Sequence, residues 1–256
     1  MNKILEVSHI KVCYQAVNGE VEAIRDVSFS VSEGEFISIV GPSGCGKSTL
    51  LSAVAGVTPV SEGKILLSGR EVSEVSDDIA YMLQKDNLLP WRSIRKNVLL
   101  GLEIRGMITE ENLSYADNLL KAYGLWEFRD KYPSQLSGGM RQRAALIRTL
   151  AVRPKVLLLD EAFSALDYQT RLAVTDDVYK ILKKEKQTAL IVTHDIPESI
   201  SMSDRVIVLS KRPAVIRNIY TTEFDIPDRS PLLCRDHAAF GEYFNQIWKE
   251  LDVHVS

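Results

Sequence analysis

The stretch Gly41-Pro42-Ser43-Gly44-Cys45-Gly46-Lys47-Ser48-Thr49 constrains this chain more than any other. It follows Phe36-Ile37-Ser38-Ile39-Val40, a short apolar run that reads as a buried strand. It leads into Leu50-Leu51-Ser52-Ala53-Val54-Ala55-Gly56, which reads as a helix closed by a glycine. Strand, glycine-rich loop and helix, in that order, make a phosphate site. Gly41, Gly44 and Gly46 let backbone N–H groups turn inward around an anion with no side chains in the way. The helix that starts there adds its own unsatisfied N–H groups and the positive end of its dipole. Lys47 supplies a point charge for β- and γ-phosphates, and Ser48 supplies a hydroxyl ligand for Mg²⁺. The chain is expected to bind a nucleoside triphosphate.

A second signal narrows the chemistry. Asp160-Glu161 closes the aliphatic run Val156-Leu157-Leu158-Leu159, which reads as a fully buried strand. An Asp at that point can hold the hydration shell of Mg²⁺, and the adjacent carboxylate can polarise an attacking water. Acidic residues also follow strands simply as helix caps. Two of them behind four aliphatics, well downstream of a phosphate loop, point to hydrolysis.

Around these motifs the chain alternates strand and helix. Ile4 to Val12 and Asp26 to Val31 read as strands flanking a turn around Asn18-Gly19, an antiparallel sheet beside the nucleotide core. Lys64 to Leu67 and Ile79 to Leu83 read as further strands. From Asp86 to Pro133 the pattern turns helical, broken at Gly101, Gly106 and Gly124, and is expected to form a helical insert. Helices are expected over Met140 to Val152 and Asp167 to Lys186, and strands over Thr188 to Thr193 and Arg205 to Leu209. Near the C-terminus Phe240, Phe244, Ile247, Trp248 and Leu251 recur at helical spacing, as for a helix packed on its own body. The expected organisation is an ATPase domain over residues 1–225, with the insert at about 86–150, and a tail helix over 226–256.

Composition sets the outer limits. With 45% hydrophobic and 25% charged residues, 256 residues suffice for a sizeable core. A net charge of −3 makes no electrostatic case for nucleic-acid binding. Cys13, Cys45 and Cys234 are far apart and in no metal-ligand spacing, which favours a reduced, intracellular setting. No apolar run approaches the ~20 residues of a membrane span. The N-terminus lacks a signal-peptide core, so any membrane association is expected through a partner.

Leu136-Ser137-Gly138-Gly139-Met140-Arg141-Gln142-Arg143 resembles the signature loop of ATP-binding-cassette (ABC) ATPases. Gln84, Ser164-Ala165-Leu166-Asp167 and Thr193-His194-Asp195 stand in that family's order, and the resemblance runs from Tyr14 to about Leu209. It implies an α/β fold: a RecA-like P-loop NTPase core with an antiparallel β subdomain and a helical insert. It implies that Tyr14 stacks on adenine and that Gln84 reaches Mg²⁺ and the attacking water. Glu161 would be the general base, and His194 would hold the γ-phosphate. Ser137 and Gly139, at a helix start, would form a second anion site completing the pocket of another copy. The Asp167 loop would run along that same interface. ATP and Mg²⁺ are the implied ligands.

Two residues depart from the family pattern. Ala162 stands where Pro usually follows the catalytic Glu, and losing a ring that fixes φ is expected to loosen the turn holding Glu161. Met140 stands where Gln is commoner. That variant, with Leu88-Leu89-Pro90-Trp91 and Phe163-Ser164-Ala165-Leu166-Asp167, resembles the importer branch handling nitrate, sulfonates, taurine and pyrimidine vitamin precursors. Leu88, Leu89 and Trp91 are expected either to receive a short helix of a membrane subunit or to pack inside the insert.

The expected function is the ATP-hydrolysing subunit of an importer of a small solute. It would work as a homodimer or paired cassette on the cytoplasmic side of the membrane, beneath permease subunits and with an extracytoplasmic solute-binding protein. The other readings are a soluble cassette ATPase of repair, translation or assembly, an exporter cassette, and a nucleotide-dependent binder that does not turn over.

Overall fold

Ten strands and the helices between them are laid out in the computed structural model, which describes residues 2–16 and 19–252. The first half runs β1 (Lys3–Ala16), β2 (Gly19–Ser32), β3 (Phe36–Val40), α1 (Lys47–Val54), β4 (Glu62–Leu67), β5 (Arg70–Glu71) and β6 (Ile79–Met82). Four helices follow without a strand: α2 (Ile94–Val98), α3 (Leu100–Ile104), α4 (Glu110–Ala122) and α5 (Gly138–Ala151). The chain then runs β7 (Val156–Asp160), α6 (Tyr168–Lys184), β8 (Thr188–Val192), α7 (Ile196–Met202), β9 (Arg205–Leu209) and β10 (Ala214–Thr221). It ends in α8 (Pro231–Arg235) and α9 (Ala238–Asp252).

The described strands form one sheet in the order β5-β4-β1-β2-β10-β9-β3-β8-β7-β6. From β9 to β6 all pairings are parallel, so the carboxyl ends of β9, β3, β8, β7 and β6 share one edge. The phosphate loop, His194, Asp160-Glu161 and Gln84 each follow one of those ends, which is where open α/β sheets bind ligands. The β1, β2, β4 and β5 pairings are antiparallel. Strand β10 joins the two halves, antiparallel to β9 and parallel to β2 at Ala214↔Ile24.

The continuous apolar runs arise because the parallel strands are covered on both faces. Leu157, Leu159, Ala189 and Ile191 enter a core shared with α5, α6 and the helices after β6. Their neighbours Val156, Leu158, Leu190 and Val192 enter the opposite core, with Leu50 and Leu51 of α1 and the inner face of β1 and β2. This is the two-residue period of a strand read out as two layers.

Several elements differ from the sequence reading. Helix α1 begins at Lys47 rather than Leu50, because Gly46 caps it with φ 120°, which admits the loop's turn directly into helix. Strands β1 and β2 extend well beyond the short runs expected, with register shifts that interrupt their alternation. Of the turn expected around Asn18-Gly19, Asn18 lies outside the described residues. Helix α7 and strand β10 were not anticipated.

The C-terminal helix α9 packs on its own chain. Ile247 is fully buried with Val206 and Val208 of β9 and Ile196 and Ile200 of α7, flanked by Phe240, Phe244 and Leu251. Trp248 is the exception, half exposed and stacked on Phe244. No helix among the described residues is long and apolar enough to cross a membrane.

Candidate functional site

The phosphate loop turns back on itself around the Lys47 side chain. Lys47 is 7% exposed, and its Nζ donates to the carbonyls of Gly41 at 2.9 Å and Pro42 at 3.0 Å. Gly41 is tied to its place because a Cβ there would lie 2.8 Å from Cys45 Sγ and 3.2 Å from the Leu209 carbonyl. Gly44, at φ 71°, lines a cavity of about 520 Å³. Ser43, Lys47, Ser48, Glu161, His194 and Arg212 also line that cavity. Tyr14 stands over the start of α1 with its hydroxyl donating to Thr49 Oγ1 at 3.3 Å, and its ring is 41% exposed. Burial pushes the Cys45 thiol up, so this loop cysteine stays neutral.

Asp160, the last residue of β7, meets the phosphate loop directly. Its Oδ1 accepts from Ser48 Oγ at 3.0 Å and its Oδ2 from the Tyr81 hydroxyl at 3.0 Å. Burial, reinforced by the Asp160 carboxylate, pushes the Tyr81 phenol well above its ordinary range, so it remains a donor. Ser48 Oγ and Asp160 Oδ1 are hard oxygen donors that fit Mg²⁺. Among the described residues no group of three or more His, Cys, Asp or Glu forms a metal cage, so phosphate oxygens and water would complete the shell.

Glu161 sits one residue further on with φ 48°, a left-handed conformation costing on the order of 1–3 kcal/mol for a non-glycine residue. Its N–H donates to Val192 O of β8 at 2.8 Å, while its carbonyl accepts from Ser164 N at 3.1 Å and Ser164 Oγ at 2.9 Å. These bonds hold the turn without drawing on residue 162, whose alanine is 2% exposed. The carboxylate faces the edge of the sheet. Its Oε2 accepts from Gln84 Nε2 at 3.2 Å and lies 3.4 Å from His194 Nδ1. Gln84 Nε2 also donates to Ser164 Oγ at 3.1 Å. Gln84, Glu161, Ser164 and His194 thus form one cluster at the ends of β6, β7 and β8.

The signature residues lie elsewhere. Ser137 caps α5, its Oγ accepting from Met140 N at 3.3 Å. A Cβ on Gly139 would lie 3.0 Å from Val174 Cγ2, and one on Gly138 would lie 3.3 Å from Leu166 Cδ2, so both glycines allow α5 to approach α6 and its preceding loop. Asp167 caps α6 and accepts from Thr170 N at 3.1 Å; hydrogen bonding to Thr170 holds its carboxyl below the usual range. Neither Ser137, Gly138 and Gly139 nor Asp167 lines the phosphate cavity. The chain therefore brings together residues 41–49, Tyr14, Gln84, Asp160, Glu161 and His194, while the signature stays off the phosphate cavity, its Gly138 sharing a separate cavity of about 390 Å³ with Gln84.

Three residues at or beside the site were missed by sequence reasoning. Tyr81 is hidden because an aromatic in a strand carries no motif, and only the pairing of β6 with β7 sets it beside Asp160. Arg212 reaches the cavity from the turn between β9 and β10. Asn97, fully buried in α2, grips the loop after Gln84. Its Nδ2 donates to Leu89 O at 3.1 Å, Arg92 O at 3.0 Å and Ser93 O at 3.1 Å, while its Oδ1 accepts from Leu89 N at 2.7 Å. That grip divides the expected apolar surface. Leu88 turns into the core, Leu89 is half-buried, and Trp91 is 72% exposed.

Comparison with known proteins identifies the family. The ABC transporter family model matches residues 24–164. The chain is 48% identical over 248 residues to YtlC of Bacillus subtilis (strain 168), described as an uncharacterized ABC transporter ATP-binding protein, covering 97% of this chain and 95% of the relative. It is 41% identical over 222 residues to the taurine import ATP-binding protein TauB of Rhizobium johnstonii, covering 86% of this chain and 85% of that one. Among solved structures, the dimeric post-hydrolysis state of the ATP-binding cassette MJ0796, bound to ADP and Pi, matches with a TM-score of 0.73 at 29% identity. That match covers 86% of this chain and 99% of the other. More than half of the chain lies inside the family model, and its likeness to YtlC extends over nearly its whole length, so it belongs to the ABC transporter family as an ATP-binding, ATP-hydrolysing subunit.

Proposed function

We propose that the chain energises uptake of a small solute of the nitrate, sulfonate, taurine or pyrimidine-precursor class. It would do so from the cytoplasmic side of the membrane, as one of two paired cassettes beneath separate permease subunits served by a solute-binding protein. The observation that carries this reading is the separation of two half-sites on one chain. The phosphate loop and the Gln84–Glu161–His194 cluster share one edge, while Ser137 and Gly139 do not line the cavity there. A nucleotide held at Lys47 of one copy is then enclosed by Ser137 and Gly139 of a second, whose α5 N-terminus adds N–H donors for the terminal phosphate.

Within one copy, Lys47 exchanges its bonds to Gly41 and Pro42 for the β- and γ-phosphates. Tyr14 supplies a face for adenine. Ser48 and Asp160, with Gln84, would hold Mg²⁺, which would supply positive charge to offset that developing on the phosphates. Glu161 Oε2 takes a proton from water, Gln84 orients that water, and His194 holds the γ-phosphate and the Glu161 side chain. Attack of that water on the γ-phosphorus breaks the bond to ADP, and release of the phosphate that bridges the two copies lets them separate.

A groove of about 280 Å³ between the α1 end, β6 and α3 supports the permease contact. Val57, Val75 and Ile104 on its rim are 60%, 70% and 77% exposed, and a short amphipathic helix of a membrane subunit would cover them. The test is co-expression with candidate permease subunits, followed by reconstitution in vesicles. Solute uptake that requires ATP on the cassette side supports the reading. Co-purification with ribosomes or nucleic acid instead of a multi-span protein, or outward transport, would overturn it.

A further inference from the structure

Arg212 lies in the turn joining β9 to β10 and lines the same cavity as Ser43, Gly44, Gly46 and Lys47. Because β9 and β8 flank β3 on opposite sides, Arg212 approaches the phosphate loop from the side away from His194 and Glu161. The sequence reading assigned it nothing.

The turn that carries it is fastened at both ends. Ser210 N donates to Val215 O at 2.9 Å, Ser210 Oγ accepts from Val215 N at 3.0 Å, and Ser210 Oγ donates to Lys211 O at 2.8 Å. Ala214 is fully buried and paired with Ile24 of β2. The phosphate loop packs against this hairpin. A Cβ on Gly46 would lie 3.7 Å from Ala214 Cβ, and one on Gly41 would lie 3.2 Å from Leu209 O. The position of residue 212 relative to the loop is therefore set by backbone contacts and not by its own long side chain. Its positive charge is felt inside the loop, where with Lys47 it opposes the rise of the Cys45 thiol.

We infer that Arg212 is a second cationic ligand for the phosphate chain of the nucleotide, closing the cavity on the β9 side as Lys47 does from its floor. This rests on the cavity being the ATP phosphate site. The chemistry suits the position. Lys47 is a point charge bound to loop carbonyls, whereas a guanidinium offers a planar fork that meets two phosphate oxygens at once. Since Arg212 is exposed, it can fold over a bound triphosphate without a desolvated charge being left behind when the site empties.

The experiment measures binding of ATP, ADP and adenosine to the purified full chain by calorimetry, comparing wild type with Arg212→Ala, Arg212→Lys and Lys47→Ala. Arg212→Ala is expected to weaken ATP and ADP by about tenfold, as for loss of a charge-assisted hydrogen bond, with adenosine unchanged. Arg212→Lys should recover part of the loss, and the salt dependence of ATP binding should flatten in Arg212→Ala. Equal ATP affinity in wild type and Arg212→Ala overturns the inference, as does an equal loss for adenosine, which would mean that the turn itself had moved. If Lys47→Ala also binds ATP like wild type, it is the phosphate-site reading that fails, and not the role of Arg212 alone.

Discussion

Asp86 Oδ2 lies 3.0 Å from Nε of Arg141, so the loop that follows Gln84 is fastened to the first turns of the helix that Ser137 caps. Arg141 also donates to Leu136 O at 2.8 Å, and Arg148 on the same helix donates to Asp86 O and Asn87 O, each at 2.7 Å. Gln84 touches Glu161, so one short path connects the cluster around the proposed general base to the signature that would serve the other copy. Replacing either partner of the pair should weaken that path without touching nucleotide. Both side chains are partly exposed, at 26% and 37%, so the stability coupling in a double-mutant cycle should be only about 0.5–1 kcal/mol. Permease stimulation of ATP hydrolysis should fall in Asp86→Ala and Arg141→Met while the ATP affinity of the isolated chain stays unchanged.

Glu161→Gln keeps an oxygen for Gln84 to donate to and removes the proposed base. Steady-state phosphate release should drop at least ~100-fold, within the range expected for loss of a general base, while ATP still drives two copies together. Gel filtration with ATP and a phosphate-release assay check both halves. Normal turnover would remove Glu161 from that role.

Asn97→Ala should destabilise the chain more than its helix position suggests. The substitution takes the partner from the half-buried Leu89 N–H and the donated bond from the Arg92 carbonyl, and removes one of two donors from the Leu89 and Ser93 carbonyls, which keep Arg92 N and Asn97 N. A loss of about 2–3 kcal/mol is expected, read as a lower urea midpoint with unchanged slope. Trp91 fluorescence, from a side chain that this loop holds in solvent, should shift in the same variant.

Glu198 on α7 is fully buried with its carboxyl pushed up to about 7, by burial first and then by the nearby Asp195 carboxylate. Thr193, Arg171 and Arg235 pull the other way. The folded protein therefore holds this proton to higher pH than the unfolded chain does. The neutral acid's contribution is fully present below about pH 4.5 and is lost as pH rises through about 7. In Glu198→Gln that loss should vanish. The variant should gain on wild type between pH 5 and pH 8 by roughly 3 kcal/mol at most, the equivalent of the full shift, measured as urea midpoints at the two pH values. No relative gain at pH 8 would show that Glu198 is stably ionised in the folded state.

The sequence by itself determined the class of fold and the candidates for the chemistry. Lys47, Ser48, Asp160, Glu161, Gln84 and His194 each sit at or just beyond the end of a short apolar run. A strand buried on both faces must be continuously apolar and must stop where it meets solvent, so strand ends and motifs coincide in one dimension. The signature was readable because Ser137-Gly138-Gly139 places a cap and two small residues at a helix start, where α5 crosses α6. What only the tertiary structure decided is lateral order. Nothing local in Phe36–Val40 says that its neighbours are β8 and β9, from far along the chain, yet that placement sets Arg212 on one side of the phosphate loop and His194 on the other. The same holds for Tyr81, which meets Asp160 through the β6–β7 pairing, and for Asn97, whose partners lie in a loop without regular structure. Periodicity reports which face of an element is buried. It carries no record of which element does the burying, because hydrophobic contact is non-directional and the choice of neighbour is made by the whole packed sheet.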